Sequence, residues 1–333
     1  MSNVSTSPPK AAIQPSLGGR SFVTRMMQGS GGALLGFVLL FAVFSVTTPR
    51  FFSAPNLINI VDQVTVIGVL AVGATAVIIT GGIDLSVGSV LALSTMVLGW
   101  LANDAGLPMG FALLAAIIVG SLAGLLNGLG VTILGLPPFI ATLAMMSIAR
   151  GLANIITDGQ QIVGYPEWFY SLASHRYFGF LSATVIIFIL VAIAGAVILK
   201  YRSAGRKVYA IGGSAEVARL AGIKVKQVTT WVYVTAGALA GVGAIILASR
   251  LDSSQPSAGT TYELDVIAAV VIGGASLAGG SGRISGTVIG VLIIGVLRNG
   301  LNLLGVSPFL QQVVIGLVIA AAVGVDVLRR KAR

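Results

Sequence analysis

Apolar runs of about twenty residues, the length an α-helix needs to cross a bilayer, follow one another along almost the whole chain. Nothing else in the sequence constrains the fold as strongly. Stretches such as AIIVGSLAGLLNGLGVTIL run on without the residue-by-residue alternation that a membrane β-barrel requires. Only 9% of the 333 residues are charged and 56% are hydrophobic. Soluble domains carry about 25% charged residues, so this chain cannot cover a water-facing surface. The sequence specifies an all-α polytopic membrane protein.

Hydropathy places about ten transmembrane helices, at 31–48, 57–80, 84–102, 108–132, 137–157, 180–199, 228–249, 262–280, 284–304 and 309–328. Residues 57–102 read either as two full spans or as one span plus a re-entrant piece, and 262–280 is polar at its start. Residues 1–30 read as a disordered cytoplasmic tail, 31–328 as the transmembrane domain with a cytoplasmic loop at 200–227, and 329–333 as a basic cytoplasmic tail. The first apolar run lacks a small-residue cleavage site and is expected to be a retained span.

Charge tests the count independently. With the N-terminus inside, fifteen of the twenty Lys and Arg residues fall on cytoplasmic segments, seven of them in 200–227. The net charge of +10 is therefore assigned to the cytoplasmic lipid face, with no nucleic-acid partner. GLPPFI (Gly135–Ile140) recurs as GVSPFL (Gly305–Leu310), each preceded by Asn-Gly-Leu. Five spans separate the copies, which reverses their orientation, so two inverted-repeat halves are expected.

Polar residues inside apolar runs mark candidate sites, because charge at bilayer depth is costly. In TGGIDLSVGSVLALS, the glycines are expected to end one helix while Asp84 or Ser86 caps the next. Either residue could also face a solute path, as could the amides Asn127, Asn154, Asn299 and Asn302, whose competing role is hydrogen bonding between helices. Arg150 and Arg298, placed in the inner-to-middle part of their spans, call for partners on other helices or among backbone carbonyls, with Asp84 and Asp265 as candidates. Gln311 and Gln312 are expected to snorkel at the external interface. The external loop 158–179, with Tyr165, Glu167, Trp168, Phe169, Tyr170 and Tyr177, reads as an aromatic belt or as a docking surface, together with Asp252 and Glu263. With no cysteine and one histidine, His175, no thiol chemistry or multi-histidine metal site is available.

In the loop KYRSAGRKVYAIGGSAEVARLAGIKVKQ, Gly212–Gly213 are expected to turn, Ser214 to cap a short helix, and Gly222 to end it. Glu216 and Arg219 match its dipole. So short a helix is marginal in water and needs a surface to lie against.

GGSAEVARLAGI resembles the coupling segment of ATP-binding-cassette importer permeases. TGGIDLSVGSVLAL resembles the signature of the ribose/xylose/arabinose/autoinducer-2 type of sugar permease, in the branched-chain amino-acid permease superfamily. The stretch VIGGASLAGGSGRISGTVIGVLIIGVLRNGLNLLGVSPFLQQVVIGLVI is similar to the same family's C-terminal half. The resemblance covers residues 35–330 and implies a fold similar to vitamin B12-type importer permeases. It also implies a second permease copy, identical or related, a cytoplasmic ATPase, a periplasmic or extracellular sugar-binding protein, and residence in the bacterial inner membrane. ATP and Mg would sit on the ATPase, so this chain would be a non-catalytic subunit without a bound cofactor. Gly212, Gly213, Ser214, Glu216, Ala218, Arg219 and Gly222 would form the ATPase-coupling surface. The solute would be a monosaccharide such as ribose. A branched-chain amino-acid permease and an ion-coupled secondary transporter are the alternatives.

Overall fold

The computed structural model describes residues 30–331. The expected tail 1–29 and the last two residues lie outside the described residues. Thirteen α-helices are described in the order α1 (Ser30–Thr47), α2 (Ala54–Ile79), α3 (Val87–Gly99, continued by the π-helical turn Trp100–Asp104), α4 (Met109–Thr132), α5 (Pro138–Ile155), α6 (Glu167–Ser174), α7 (Ala183–Tyr201), α8 (Ser203–Gly213), α9 (Ala215–Leu220), α10 (Val225–Leu251), α11 (Tyr262–Ile272), α12 (Ile284–Leu303) and α13 (Pro308–Lys331). Two short strands, β1 (Ile162–Val163) and β2 (Ser253–Ser254), pair antiparallel. Among the described residues, seven helices are both long and apolar enough to cross a membrane: α2, α3 with its π turn, α4, α5, α7, α10 and α12. The chain is thus an integral, all-α polytopic membrane protein, and 57–102 holds two separate helices long and apolar enough to span.

α10 sits at the centre, packed on α4, α2 and α3. Its approach to α4 is backbone to backbone. A Cβ at Gly120 would overlap the Gly237 carbonyl, one at Gly237 would overlap the Gly120 carbonyl, and one at Gly124 would overlap that of Tyr233. Small residues every fourth position let two helices close up where apolar area supplies no driving force, because lipid tails are as apolar as leucine.

The expected span 262–280 is corrected. α11 ends at Ile272, and eleven residues reach only about 16 Å. The missing depth is filled by irregular chain. Ser254 Oγ donates to the Thr95 carbonyl (2.6 Å) and meets Tyr165 Oη (2.6 Å), and Gly259 packs on Gly88 of α3. Non-helical backbone is tolerated at such depth only where protein satisfies it. Arg150 supplies much of that here, donating to the carbonyls of Pro256 and Ala258. Its partners are backbone carbonyls, one of the two expected kinds, but it lies toward the α6 end of the bundle rather than the inner-to-middle part.

Arg298 pairs with Asp265, its Nη2 2.9 and 2.7 Å from the two carboxylate oxygens. It too lies toward the α6 end. Three amides take definite places. Asn154 is exposed and bonds only the Arg150 carbonyl of its own helix. Gln311 is buried, donating to Asn302 Oδ1 (2.7 Å) and the Val306 carbonyl (2.9 Å), rather than snorkelling. Asn299 exchanges two hydrogen bonds with Asn56 of α2, at 3.0 and 2.9 Å.

Candidate translocation and coupling site

The break between α2 and α3 gathers most of the buried polarity at the end of the bundle that carries α8 and α9. α2 ends at Thr80. The Gly82 N–H then donates to Val77 and the Gly81 N–H to Ile78, with Gly81 at φ +82°, a left-handed position that a side chain would strain. The expectation for the next helix needs adjusting. The Ser86 side chain does not cap α3. Instead Asp84 Oδ1 accepts from the Ser86 N–H (2.8 Å) and Ser86 Oγ (2.6 Å), a local turn that delivers the chain into α3. Asn127 Nδ2 of α4 donates to Ser86 Oγ (2.9 Å), and Thr142 Oγ1 of α5 to the Ile83 carbonyl (3.2 Å). The break is therefore tied to α4 and α5.

Asp84, Ser86 and Asn127 are buried, and Asp84 belongs to no ion pair among the described residues. Two polar atoms beside it, Asn127 Oδ1 and Tyr233 Oη, have no partner. A cavity of about 300 Å³ opens next to the break, lined by Thr80, Gly81, Thr132, Ile211, Lys226 and Tyr233. The structure thus brings Asp84, Ser86 and Asn127 together, while Asn154, Asn299 and Asn302 lie elsewhere.

Beside the cavity stands the α8–α9 hairpin. Gly212 and Gly213 are the last residues of α8 rather than a turn, which corrects that expectation. The remaining grammar holds: Ser214 Oγ accepts from the Val217 N–H (3.3 Å), and Gly222 takes φ +80° just past α9. Ala218 faces inward, whereas Val217 (63% exposed) and Leu220 (77%) face outward beside the exposed Glu216–Arg219 pair at 2.6 Å. Six residues cannot hold a helix alone in water, and this one keeps its large apolar side chains uncovered.

At the opposite end, Tyr165 and Phe169 are buried, not part of an interfacial belt, while Trp168, Tyr170 and Tyr177 are exposed. Asp252 Oδ1 accepts from the Tyr165 N–H (3.3 Å). Glu263 is half-buried and turned toward Gly88, away from the loop surface where it was expected. Asp62 holds this end together, pairing with Arg176 (2.9 and 2.6 Å) and accepting from Ser182 Oγ (3.0 Å). Asp62 and Tyr233 escaped the sequence reading. A carboxylate within an apolar span was a sufficient signal for the first; nothing local marked the second.

The model of the branched-chain amino acid transport system / permease component family matches residues 56–323. The chain belongs to that family. The permease is 46% identical over 297 residues to the ribose import permease protein RbsC of Bacillus subtilis, covering 89% of this chain and 92% of that one. It is 43% identical to RbsC of Escherichia coli K12, covering 92% and 97%. The L-arabinose transport system permease protein AraH of Escherichia coli K12 is 38% identical, covering 91% and 92%. No solved structure matches the permease.

Proposed function

We propose that this chain is the membrane-spanning subunit of an ATP-driven importer that moves a pentose such as ribose into the bacterial cytoplasm by alternating access. The similarity to ribose import permeases over more than nine-tenths of their length carries the sugar reading. The uncovered Val217, Leu220, Glu216 and Arg219 of α9 support an ATPase partner on that face. ATP-Mg would be held by that partner, and a periplasmic or extracellular binding protein would deliver the sugar to the α6 end. Glu167, Trp168 and Asp252 remain the candidates for that docking surface, with Tyr165 shaping it from its buried position. The α9 end is then cytoplasmic, in the inner membrane, with both termini on that side and a second permease copy completing the pathway.

In this reading α1 and α13, with their shorter apolar stretches, and the broken eighth segment complete ten spans. Inverted halves of the vitamin B12-type arrangement account for the packing. α3 lies on α4 and α5 as α11 lies on α12 and α13, and α2 meets α12 as α10 meets α4. One half breaks at residues 80–86 at the cytoplasmic end, the other at 253–261 at the external end, where Gly259 lies against Gly88 near the start of α3. Asp84, Ser86 and Asn127 would be the part of the path nearest the cytoplasm.

The family description favours a second solute, a branched-chain amino acid. Labelled uptake in a bacterial strain lacking its own ribose permease but supplied with this permease, the ATPase and the binding protein separates the two. Ribose accumulation unaffected by excess leucine is expected; leucine accumulation without ribose uptake overturns the reading.

A further inference from the structure

The α8–α9 hairpin does more than connect α7 to α10. The carbonyl of Ile79, the last residue of α2, is one of the helix-end acceptors that needs a partner from outside. It accepts from the Gly280 N–H (2.9 Å), in the turn between α11 and α12. That turn is closed by the Ser276 N–H donating to the Ser281 carbonyl (3.0 Å). The end of α8 lies directly on this bond. A Cβ at Gly212 would overlap the Ile79 carbonyl oxygen and press on the Gly280 nitrogen. A Cβ at Gly279 would stand 3.0 Å from both the Gly212 oxygen and the Gly81 nitrogen. One helical turn back, Tyr209 Oη donates to the Gly282 carbonyl (2.8 Å). Val208 of α8, Leu199 of α7 and Ile79 share one buried apolar cluster. Three segments distant in sequence, the α2–α3 break, the α11–α12 turn and the hairpin, are therefore joined through their backbones at one point.

We propose that this Gly212–Ile79–Gly280 junction, latched by Tyr209, carries movement of the docked α8–α9 hairpin to the 80–86 break and to the 273–283 turn together. Gly212 and Tyr209 are then positioning residues for transport, acting on the break of one half and on a turn of the other. Motion passed only along the covalent chain would reach α7 and α10 alone. Because interiors are close-packed, a shift of the hairpin must displace whatever lies against it. The inference rests on the ATPase-coupled reading given above.

The test uses proteoliposomes holding the assembled complex of permease, ATPase and binding protein, and reads sugar imported per ATP hydrolysed. Gly212→Ala is expected to lower that ratio at least about tenfold, since coupling and not the hydrolysis chemistry is disturbed. Tyr209→Phe, which removes one hydrogen bond, is expected to lower it about threefold. The chain has no cysteine, so a Gly213→Cys/Ser281→Cys pair can be joined selectively across the junction by a short bifunctional thiol reagent. If the hairpin and the turn move as a unit, cross-linking leaves the ratio within about twofold of the unlinked pair, as for a link between parts that keep their contacts. Should Gly212→Ala fail to assemble, Tyr209→Phe and the cross-link decide. Wild-type ratios in both single variants, or a ratio abolished by the cross-link, overturn the junction while leaving ATP-driven import intact. Import by the wild-type complex without ATP overturns the function and the junction together.

Discussion

The Asp265–Arg298 pair offers a quantitative handle on the interior. Asp265 is fully buried, and both its oxygens lie within 2.9 Å of one Arg298 nitrogen. With the charge centres about 4 Å apart and an effective dielectric of about 20, the attraction is about 4 kcal/mol. Two features reduce the net worth of the pair. The Arg298 side chain is 28% exposed, and its Nε is buried without a partner. Removing one partner alone strands a charge and costs about 3–5 kcal/mol, whereas replacing both with well-packed apolar residues is close to neutral. Asp265→Leu and Arg298→Leu should therefore each destabilise the detergent-solubilised permease by about 3 kcal/mol, and the double variant by less than about 1 kcal/mol. Denaturant unfolding of the four proteins gives the coupling energy through a double-mutant cycle. A double variant as unstable as the sum of the singles, with no coupling, would refute the claim that the two charges answer each other.

Gly82→Ala would put a Cβ 2.5 Å from Tyr233 Oη and 3.1 Å from a Val77 methyl. A loss of about 1–3 kcal/mol by overpacking is expected, mostly restored by a second change, Tyr233→Phe; failure of that rescue in thermal unfolding would place the strain elsewhere. Glu216→Arg removes an exposed pair and should change stability by under about 0.5 kcal/mol, while co-purification of the ATPase falls sharply; undiminished co-purification would remove Glu216 from the docking surface. Burial pushes the Tyr165 phenol up to about 12, the Ser254 hydrogen bond opposing it in part. The folded protein holds this proton more tightly than the unfolded chain, so the contribution to stability is whole below pH 10 and declines as pH rises from 10 toward 12. Tyr165→Phe should delete the phase of phenolate absorbance near pH 12, and an unchanged titration curve would contradict the assignment.

Much of this was legible because bilayer and backbone physics write directly into sequence. The ends of α4, α7 and α12 fall close to the expected spans, since apolar length is set by membrane thickness. Ser214 and Gly222 bound α9 because helix ends need a side-chain acceptor and a left-handed residue whatever surrounds them. What failed depended on tertiary partners. Ala268–Ile272 continue the apolar run of α11, yet the polar Ser253–Thr261 stretch before it stays non-helical, because Arg150 and Thr95, far away in sequence, complete its hydrogen bonds. Gly212 and Gly213 were expected to turn, but Gly212 is a glycine because Ile79 and Gly280 approach it, not because of its own dihedrals. Asp84 was visible as an anomaly; that Asn127, forty-three residues on, would reach the same serine was not.

The central claim is that this permease imports a pentose at the expense of ATP hydrolysed by a docked partner. The most direct measurement is labelled ribose accumulation in proteoliposomes containing the permease, the ATPase and the binding protein, with proton and sodium gradients collapsed. Accumulation that requires ATP on the α9 side and stops when the ATPase is omitted is the expected result. Accumulation that persists without the ATPase and follows a proton or sodium gradient would contradict the account.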